Sequence, residues 1–354
     1  MQGVLRNLEN KIKYSIGKEK DFYDFLSGIT PKDNVAIISH IDLDGITSAL
    51  LIKEILESKK IKVKTMKFIE YGLGMFVKVL KDFRKKKITK IFMSDIKEEA
   101  DYENFEKLKN EINVFSIDHH PSENKLKENV LKTNSPDCAA WVIYNLGSKI
   151  TNLDKWKTLL CATMIAEFSY NDENNFNFLK ENFPNLTKEN LMDSEHGKLS
   201  KTIGSGLIFF KGKTKKVFDL VLKNKEQKLE KYHKIIQEEI QKLIDDFNKK
   251  AEFYPENNLY FYYCNPKFSL TSAVATILSL KDTKNTIVIV SDVPKQKGFL
   301  KVSSRNQGGS VNLNELMKKG ISGLENATAG GHIMASAAKF MKKDLEKFKK
   351  NVLS

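Results

Sequence analysis

Histidine is scarce in this chain, which has six in 354 residues, yet two histidines stand side by side in the stretch FSIDHHPSE, residues 115–123. His119 and His120 follow Asp118, directly after the strand-forming run 114–117. Imidazole and carboxylate groups at the end of a strand are typical metal ligands, but a polar loop would have the same composition. This stretch alone leaves both interpretations open.

A second polar cluster follows the apolar run at the start of VAIISHIDLDGITSALL, residues 35–51. His40, Asp42 and Asp44 occupy alternate positions, and alternate side chains of an extended segment point the same way. Gly45 permits a tight turn into the helix that follows. An ordinary helix cap needs only one acidic residue. Two carboxylates and an imidazole at this spacing would repel or stay unsatisfied without a cation, so the pattern favours a metal site.

A third strand, in KIFMSDIKEEA at 90–100, ends at Asp95. The carboxyl ends of neighbouring parallel strands line one crevice, so the three clusters are expected to meet. Mixed carboxylate and imidazole ligands suit Mn²⁺, with Mg²⁺, Fe and Zn²⁺ as alternatives, and the absence of thiolates argues against structural zinc. Two ions with a bridging carboxylate would use all these groups, and that arrangement hydrolyses phosphoesters.

The elements that must position these residues alternate between β-like and helix-like patterns. This rhythm predicts an α/β domain with a mainly parallel sheet and helices on both faces. The predicted strands are 35–39, 62–68, 88–93 and 114–117, and the predicted helices are 47–56, 76–83, 102–109, 139–146 and 156–168. Residues 1–30 read as a helical lead-in, with Leu5, Leu8, Ile12 and Ile16 at helical spacing.

The second half of the chain changes character. Apolar residues recur every three or four positions over 217–250, which predicts one long amphipathic helix that joins two domains. The pattern then resets to a smaller α/β domain that ends in a helix over 333–343. We therefore expect a catalytic domain at 1–215, a connecting helix at 216–252 and a second domain at 253–354.

Taken together, these motifs resemble the DHH phosphoesterases, and among them the RecJ-like nucleases of the archaeal branch. The resemblance rests on HIDLDG (40–45), the aspartate of MSD (93–95), the DHH triplet (118–120) and TNSPDCAAWVIYNL (133–146). LLCATMIAEF (159–168) places Glu167 where the family usually has aspartate, with Asp172 as the alternative. KVSSRNQGGSVNLNELM (301–317) and ATAGGHIMASAAKF (327–340) resemble the DHHA1 domain that accompanies DHH domains.

The resemblance implies two divalent cations, Mn²⁺ first and Mg²⁺ as the alternative. The implied metal ligands are His40, Asp42, Asp44, Asp95, His119 and Glu167. Asp95 would be shared between the ions and therefore catalytic, His120 would steady charge on the phosphoryl group, and Asp118 would orient the imidazoles. The implied substrate-binding residues are Ser303, Arg305, Gly330, Gly331 and His332. The Gly330–Gly331 pair, before the predicted last helix, would also form an anion site at that helix's N-terminus.

The expected function is a two-metal exonuclease that shortens single-stranded DNA or RNA from one end, in replication, repair or RNA turnover. A phosphatase or phosphodiesterase for short oligonucleotides or nucleotides is one alternative, and a non-catalytic scaffold of a replication or repair complex is another. The net charge of +14, from 59 basic and 45 acidic residues, suits nucleic acid but also a lysine-rich surface. A helicase or replisome component is a candidate partner, and a homo-oligomer stays open. Three scattered cysteines and no membrane-length apolar run suggest a cytoplasmic protein without a membrane partner.

Overall fold

Short runs of β-branched and aromatic residues, separated by helices, build a six-stranded sheet in the first part of the chain. The computed structural model describes residues 12–121, 128–134, 136–293 and 296–354. The strands are β1 (Tyr14–Ile16), β2 (Val35–His40), β3 (Val63–Ile69), β4 (Lys90–Ser94), β5 (Asn113–Asp118) and β6 (Val130–Thr133). The helices are α1 (Glu19–Ser27), α2 (Leu43–Ser58), α3 (Met75–Lys85), α4 (Tyr102–Glu111), α5 (Ala139–Ser148), α6 (Lys157–Ala166), α7 (Glu173–Asn182), α8 (Glu195–Phe209) and α9 (Thr214–Leu222).

The sheet has the strand order β1-β6-β5-β4-β2-β3, in which β1 is antiparallel and the other five strands are parallel. Alternate residues of β2 face opposite sides: Val35 and Ile37 pack with α2, whereas Ala36 and Ile38 pack with α3. Both faces are therefore buried, as parallel sheets require. The predicted α/β fold with helices on both faces is confirmed, and its parallel strands end at one edge.

The chain divides after His233 into two compact units, and the division falls within α10 (Glu230–Lys250). The second unit contains a mixed sheet with the order β11-β12-β10-β9-β8-β7. Its strands are β7 (Glu252–Tyr254), β8 (Leu259–Tyr263), β9 (Thr286–Asp292), β10 (Phe299–Arg305), β11 (Thr328–Gly331) and β12 (Ala335–Met341). Its further helices are α11 (Thr271–Lys281), α12 (Leu313–Gly320) and α13 (Leu345–Leu353). Within the described ranges, no helix has both the length and the apolar character needed to cross a membrane.

The single helix predicted over 217–250, and with it the continuous connecting helix over 216–252, is wrong. Helix α9 ends at Leu222, where Asn224 adopts a left-handed conformation (φ 50°) and Lys225 donates its backbone N–H to Leu220 at 2.8 Å. This is a common way to end a helix. A 3₁₀ turn then buries Leu229 before α10 begins. The apolar spacing continued through this break because both helices bury apolar residues.

The final helix predicted over 333–343 is also wrong, because this segment contains strand β12. Ser336, Ala338 and Phe340 are buried while their neighbours are more exposed, which is the period of a strand. β12 pairs with β10 on one side and with β11 on the other. The alanines of this segment favour a helix, but the backbone hydrogen bonds to a strand on each side outweigh that local preference. The last helix is instead α13.

Only part of the predicted helical lead-in, from residue 12 onward, lies within the described residues. Leu5 and Leu8 lie outside the described residues. Ile16 belongs to strand β1, which pairs with β6, and Ile12 packs against the first core without being part of a helix. The first described helix, α1, begins only at Glu19 and buries three apolar residues. The prediction for Ile12 and Ile16 is therefore wrong.

Gly45 is required where the chain turns from β2 into α2. A Cβ atom at this position would lie 2.3 Å from the backbone oxygen of His40. Gly45→Ala is expected to lower the free energy of unfolding by about 1–3 kcal/mol, because the backbone itself must move. Urea unfolding followed by circular dichroism measures this change.

The matched control is Gly204→Ala in α8, where a Cβ atom would meet nothing within 4 Å. This variant should be neutral or more stable by up to about 1 kcal/mol, because alanine favours helix. Equal effects of the two substitutions would contradict the packing argument for Gly45.

Candidate active site

The carboxyl end of β2 carries the first polar cluster. His40 is the last residue of β2, and Asp42 is the N-cap of α2, where its carboxylate accepts a hydrogen bond from the N–H of Gly45 at 2.9 Å. The other carboxylate oxygen lies 2.6 Å from His40 Nδ1. Burial alone would raise the pKa of Asp42, but the hydrogen bond and the charge of His40 hold that pKa below its usual value. Asp42 is therefore a carboxylate ready to bind a cation.

Asp44 is fully buried and is held by the N-terminus of α5. Its two carboxylate oxygens accept hydrogen bonds from the backbone N–H groups of Ala139 and Ala140, each at 2.8 Å. A helix N-terminus stabilises negative charge. Burial nevertheless raises the pKa of Asp44, and the charge of Asp42 adds to this effect. Helix α5, part of the TNSPDCAAWVIYNL stretch, thus fixes the direction of this ligand candidate.

Asp95 stands after β4 and is the centre of the cluster. Its backbone is left-handed (φ 56°), a costly conformation for a residue other than glycine, and its N–H donates to Ile117 on β5 at 2.9 Å. Among the described residues, its buried Oδ2 atom finds no hydrogen-bond partner. Burial raises the pKa of Asp95 well above its usual value, and the charges of Asp42 and Asp44 add to this effect. The left-handed backbone, the buried oxygen without a hydrogen-bond partner in the described part of the chain and the raised pKa together mark Asp95 as a binding position.

The DHH segment brings its histidines to the same place. His119 Nε2 lies 3.6 Å from Asp95 Oδ1 and 3.7 Å from Asp44 Oδ2, and His120 Nδ1 lies 4.0 Å from Asp95 Oδ1. Among the residues that the structure describes, two groups of three have possible ligand atoms within 4.8 Å of one another. They are Asp95 with His119 and His120, and His40 with Asp42 and Asp95. Asp95 is common to both groups, as a carboxylate shared between two ions would be.

Glu167, at the end of α6, is the sixth predicted ligand. Burial raises its pKa well above the usual value, and the charges of Asp42 and Asp44 add to this effect. The same electrostatic interaction acts on Asp95, so the Glu167 carboxyl belongs to the cluster. Asp172, the alternative, caps α7 by accepting hydrogen bonds from two backbone N–H groups of that helix, at 2.9 and 3.2 Å. Because the Asp172 carboxylate is engaged with its own helix and the charge of Glu167 acts on Asp95, Glu167 is the better candidate of the two.

A buried ion-pair network behind the DHH triplet was missed in the sequence. Lys132 of β6 lies 2.7 Å from Asp118 Oδ2 and 3.2 Å from Glu98 Oε2, and all three side chains are fully buried. Burial and the nearby charge of Asp118 raise the pKa of Glu98 to about 7, although Lys132 opposes this change. The only signal in the sequence was a lysine inside the apolar strand VLKT, immediately before the stretch TNSPDCAAWVIYNL.

Tyr71, in the loop after β3, was also missed. Its ring stacks on His40 with centroids 4.4 Å apart, and its hydroxyl lies 3.1 Å from His120 Nε2. Tyr71 therefore contacts one histidine from each group of three. The loop EYGLG lies at the carboxyl edge of the sheet, but a single tyrosine there carried no motif.

The predicted substrate-binding residues lie in the second unit. Arg305 ends β10, and its guanidinium contacts Ser272 Oγ at 2.7 Å and Thr276 Oγ1 at 3.1 Å. Burial lowers the pKa of Arg305, and no ion pair of Arg305 with a carboxylate occurs within the described residues. Ser303 Oγ lies 3.1 Å from the hydroxyl of Thr271. Arg305 thus keeps a positive charge that an anion could neutralise.

The predicted anion site at a helix N-terminus is wrong. Gly330 and Gly331 are the last residues of β11, and His332 donates its backbone N–H to Ala335 at 2.7 Å in the hairpin to β12. Ser336 Oγ donates to the oxygen of Gly330 at 2.9 Å. A Cβ atom at Gly331 would come 2.5 Å from this neighbouring strand, so Gly331 serves a tight hairpin, whereas a Cβ atom at Gly330 would meet nothing within 4 Å among the described residues. Their role in substrate binding stays a prediction.

The cluster in the first unit fits divalent cations. Its donors are carboxylates and imidazoles, which suit Mn²⁺ and Mg²⁺ among biological metals. Its carboxyl groups lie close enough to raise one another's pKa, and one buried oxygen lacks a donor among the residues that the structure describes. Cations would relieve the repulsion and satisfy that oxygen.

The raised pKa of Asp95 predicts that this residue destabilises the metal-free fold. The contribution of protonated Asp95 to the free energy of unfolding is fully present below its ordinary pKa of 3.8. It is lost as the pH rises through the raised pKa of the folded protein. In EDTA, Asp95→Asn should therefore increase the free energy of unfolding at neutral pH, and the gain should disappear below pH 3.8. Mn²⁺ should raise the melting temperature of the wild type but not of the variant.

Asp24→Asn serves as the control, because Asp24 is exposed and pairs with the equally exposed Lys20. It should leave both the pH dependence and the Mn²⁺ effect unchanged. Thermal unfolding with and without Mn²⁺ at the two pH values measures both. A destabilised Asp95→Asn protein at neutral pH, or an undiminished Mn²⁺ effect, would contradict the interpretation.

Two families match consecutive parts of the chain. Residues 34–171 match the N-terminal domain of the DHH family, and residues 262–354 match the DHHA1 domain. A comparison with curated protein sequences gives no match.

Solved structures of similar fold cover almost the whole chain. RecJ from Thermus thermophilus in complex with Mn²⁺ matches with a TM-score of 0.71 and 14% identity, over 95% of this chain and 54% of that one. The exonuclease RecJ bound to manganese matches with 0.70 and 15%, over 94% and 92%. CDC45 from Entamoeba histolytica matches with 0.57 and 11%, over 95% and 98%. The chain thus spans about half the length of the Thermus RecJ, and at these identities the likeness concerns the fold.

Proposed function

This chain belongs to the DHH family, with a DHH N-terminal domain followed by a DHHA1 domain and a RecJ-like fold, and from this premise we propose that it is a metal-dependent exonuclease. Its substrate would be single-stranded DNA or RNA, cut at phosphodiester bonds from one end. The observation that carries the proposal is the convergence on Asp95 of His40 and Asp42 from one side and of the DHH histidines from the other. A two-cation site of this kind suits phosphodiester hydrolysis.

Six residues of the first unit would hold two divalent cations, Mn²⁺ or Mg²⁺: His40, Asp42, Asp44, Asp95, His119 and Glu167. When bound, these ions supply the activation of water and the neutralisation of charge at the phosphoryl group. The chain itself contributes a fixed arrangement of ligands. The N-terminus of α5 holds Asp44, and the left-handed backbone at Asp95 directs its carboxyl group into the cluster.

His120 would contact the phosphoryl oxygens or the leaving group through its Nε2 atom. Its Nδ1 atom donates to Asp118 Oδ1 at 2.7 Å, so Asp118 orients the ring. The hydrogen bond and charge of Asp118 raise the pKa of His120, although burial opposes this change. A protonated imidazole at this position could give a proton to the leaving oxygen.

Nucleic-acid binding would come from positive charge in the second unit and on the surface as a whole. Arg305 presents a guanidinium, which suits phosphate geometry. Ser303 lies on β10 beside it, and His332 lies in the hairpin between β11 and β12 of the same sheet. The net charge of +14 would add affinity that falls with salt concentration. Such an enzyme would act in DNA repair or RNA turnover in the cytoplasm. A helicase or a replisome component would be its partner.

A nuclease assay tests the proposal directly. Purified protein with Mn²⁺ or Mg²⁺ should convert 5′- and 3′-labelled single strands of DNA or RNA into a ladder of short products. Asp95→Asn should reduce the rate to background, and His120→Ala should reduce it by about 10²–10⁴-fold. Asp24→Asn, remote from the cluster, should keep the wild-type rate.

The same assay separates the two alternatives. Rapid cleavage of a labelled dinucleotide with no degradation of long strands would identify an enzyme for short oligonucleotides. The fold is also similar to that of CDC45, so a scaffold is the second candidate. Metal binding without hydrolysis of any of these substrates would support the scaffold and refute the exonuclease.

A further inference from the structure

A buried lysine stands beside the DHH strand but belongs to neither the proposed metal ligands nor the substrate groups. Lys132 of β6 pairs in parallel register with Asp118 of β5, so their side chains lie side by side. The Lys132 side chain is 0% exposed. Burying an ammonium group is costly unless it is paired, so its contacts show what it stabilises.

Lys132 makes three polar contacts with its ammonium group. Nζ lies 2.7 Å from Asp118 Oδ2, 3.2 Å from Glu98 Oε2 and 3.5 Å from the backbone oxygen of His120. The contacts with Asp118 and with the His120 backbone are hydrogen bonds, and the contact with Glu98 is an ion pair. Two of the three partners belong to the DHH triplet itself.

These contacts restrict the carboxylate that orients His120. Asp118 Oδ2 is held by Lys132, and Asp118 Oδ1 accepts from His120 Nδ1 at 2.7 Å. With both oxygens engaged, the carboxylate has no freedom to rotate. Its acceptor atom then requires the proton on Nδ1, so Nε2 is the nitrogen left for the substrate. The Tyr71 hydroxyl lies 3.1 Å from Nε2 and 3.4 Å from Nδ1.

We propose that Lys132 is a positioning residue for His120, acting through Asp118. It fixes the Asp118 carboxylate and the His120 backbone together, and so sets which ring nitrogen faces the substrate. This proposal rests on the proposed phosphodiesterase function, in which His120 meets the phosphoryl group. The competing interpretation is a purely structural ion pair between Lys132 and Glu98, supported by the hydrogen bond from Ser116 to Glu98.

The test compares Glu98→Gln with the double variant Lys132→Met/Glu98→Gln, so that Glu98 is not left as a buried charge without its lysine and Asp118 keeps only His120 as its partner among the described residues. Relative to Glu98→Gln, the double variant should lose at least about tenfold in kcat, while KM and the dissociation constant for Mn²⁺ change less than about twofold. Long-range ¹H–¹⁵N spectra of the imidazoles in EDTA, recorded at a pH at which His120 is neutral, should show that His120 loses its preference for the proton on Nδ1. Lys67→Met, on β3, is the matched control, because Lys67 pairs with the partly exposed Asp82.

A folded double variant with the kcat and imidazole spectrum of Glu98→Gln would overturn the proposal. So would a loss of Mn²⁺ affinity in proportion to the loss of kcat, because Lys132 would then support the ligands and not His120. If the double variant does not fold, Lys132→Met/Glu98→Leu provides the same readouts with an apolar pair. If the wild type hydrolyses no phosphodiester, the proposed function fails, yet the spectra still decide the role of Lys132.

Discussion

The concentration of buried negative charge around Asp95 is the constraint on which the site depends. Several carboxyl groups converge there, and each raises the cost of ionising the others. A fold selected for stability alone would disperse these groups or replace them with apolar residues. The chain instead surrounds them with fixed partners and, among the described residues, leaves one oxygen of Asp95 without a donor. Bound cations would stabilise such an arrangement, which links the fold to its chemistry.

Each surrounding element offsets part of the free-energy cost of burying these carboxyl groups. The N-terminus of α5 supplies two N–H groups to Asp44, and His40 supplies a hydrogen bond to Asp42. Lys132 supplies the positive charge beneath Asp118. Each partner comes from a different element, so the site forms only when β2, β4, β5, β6 and α5 have assembled. The parallel sheet makes this possible because its strands end at a single edge.

The sheet also explains why a glycine stands inside the first motif. Asp42 and Asp44 lie on either side of the start of α2, which must begin immediately beyond His40. The helix therefore passes so close to the strand end that no side chain fits at Gly45. The ligands and the glycine are thus consequences of one sharp turn. In the second unit, Gly331 serves a comparable close approach between β11 and β12.

The sequence by itself determined the α/β class, the parallel strands and the three strand ends that carry polar residues, because these follow from local spacing. It did not determine the break at Asn224 or the strand nature of 335–341, since a turn and a double-sided ladder outweighed the local helical pattern. Tyr71, Glu98 and Lys132 were equally out of reach. Their importance comes from partners far along the chain, such as Asp118 beside Lys132, and only the tertiary structure places them together. A periodic pattern along one helix or strand can be recognised in the sequence. A contact between side chains from different elements becomes visible only in the complete fold.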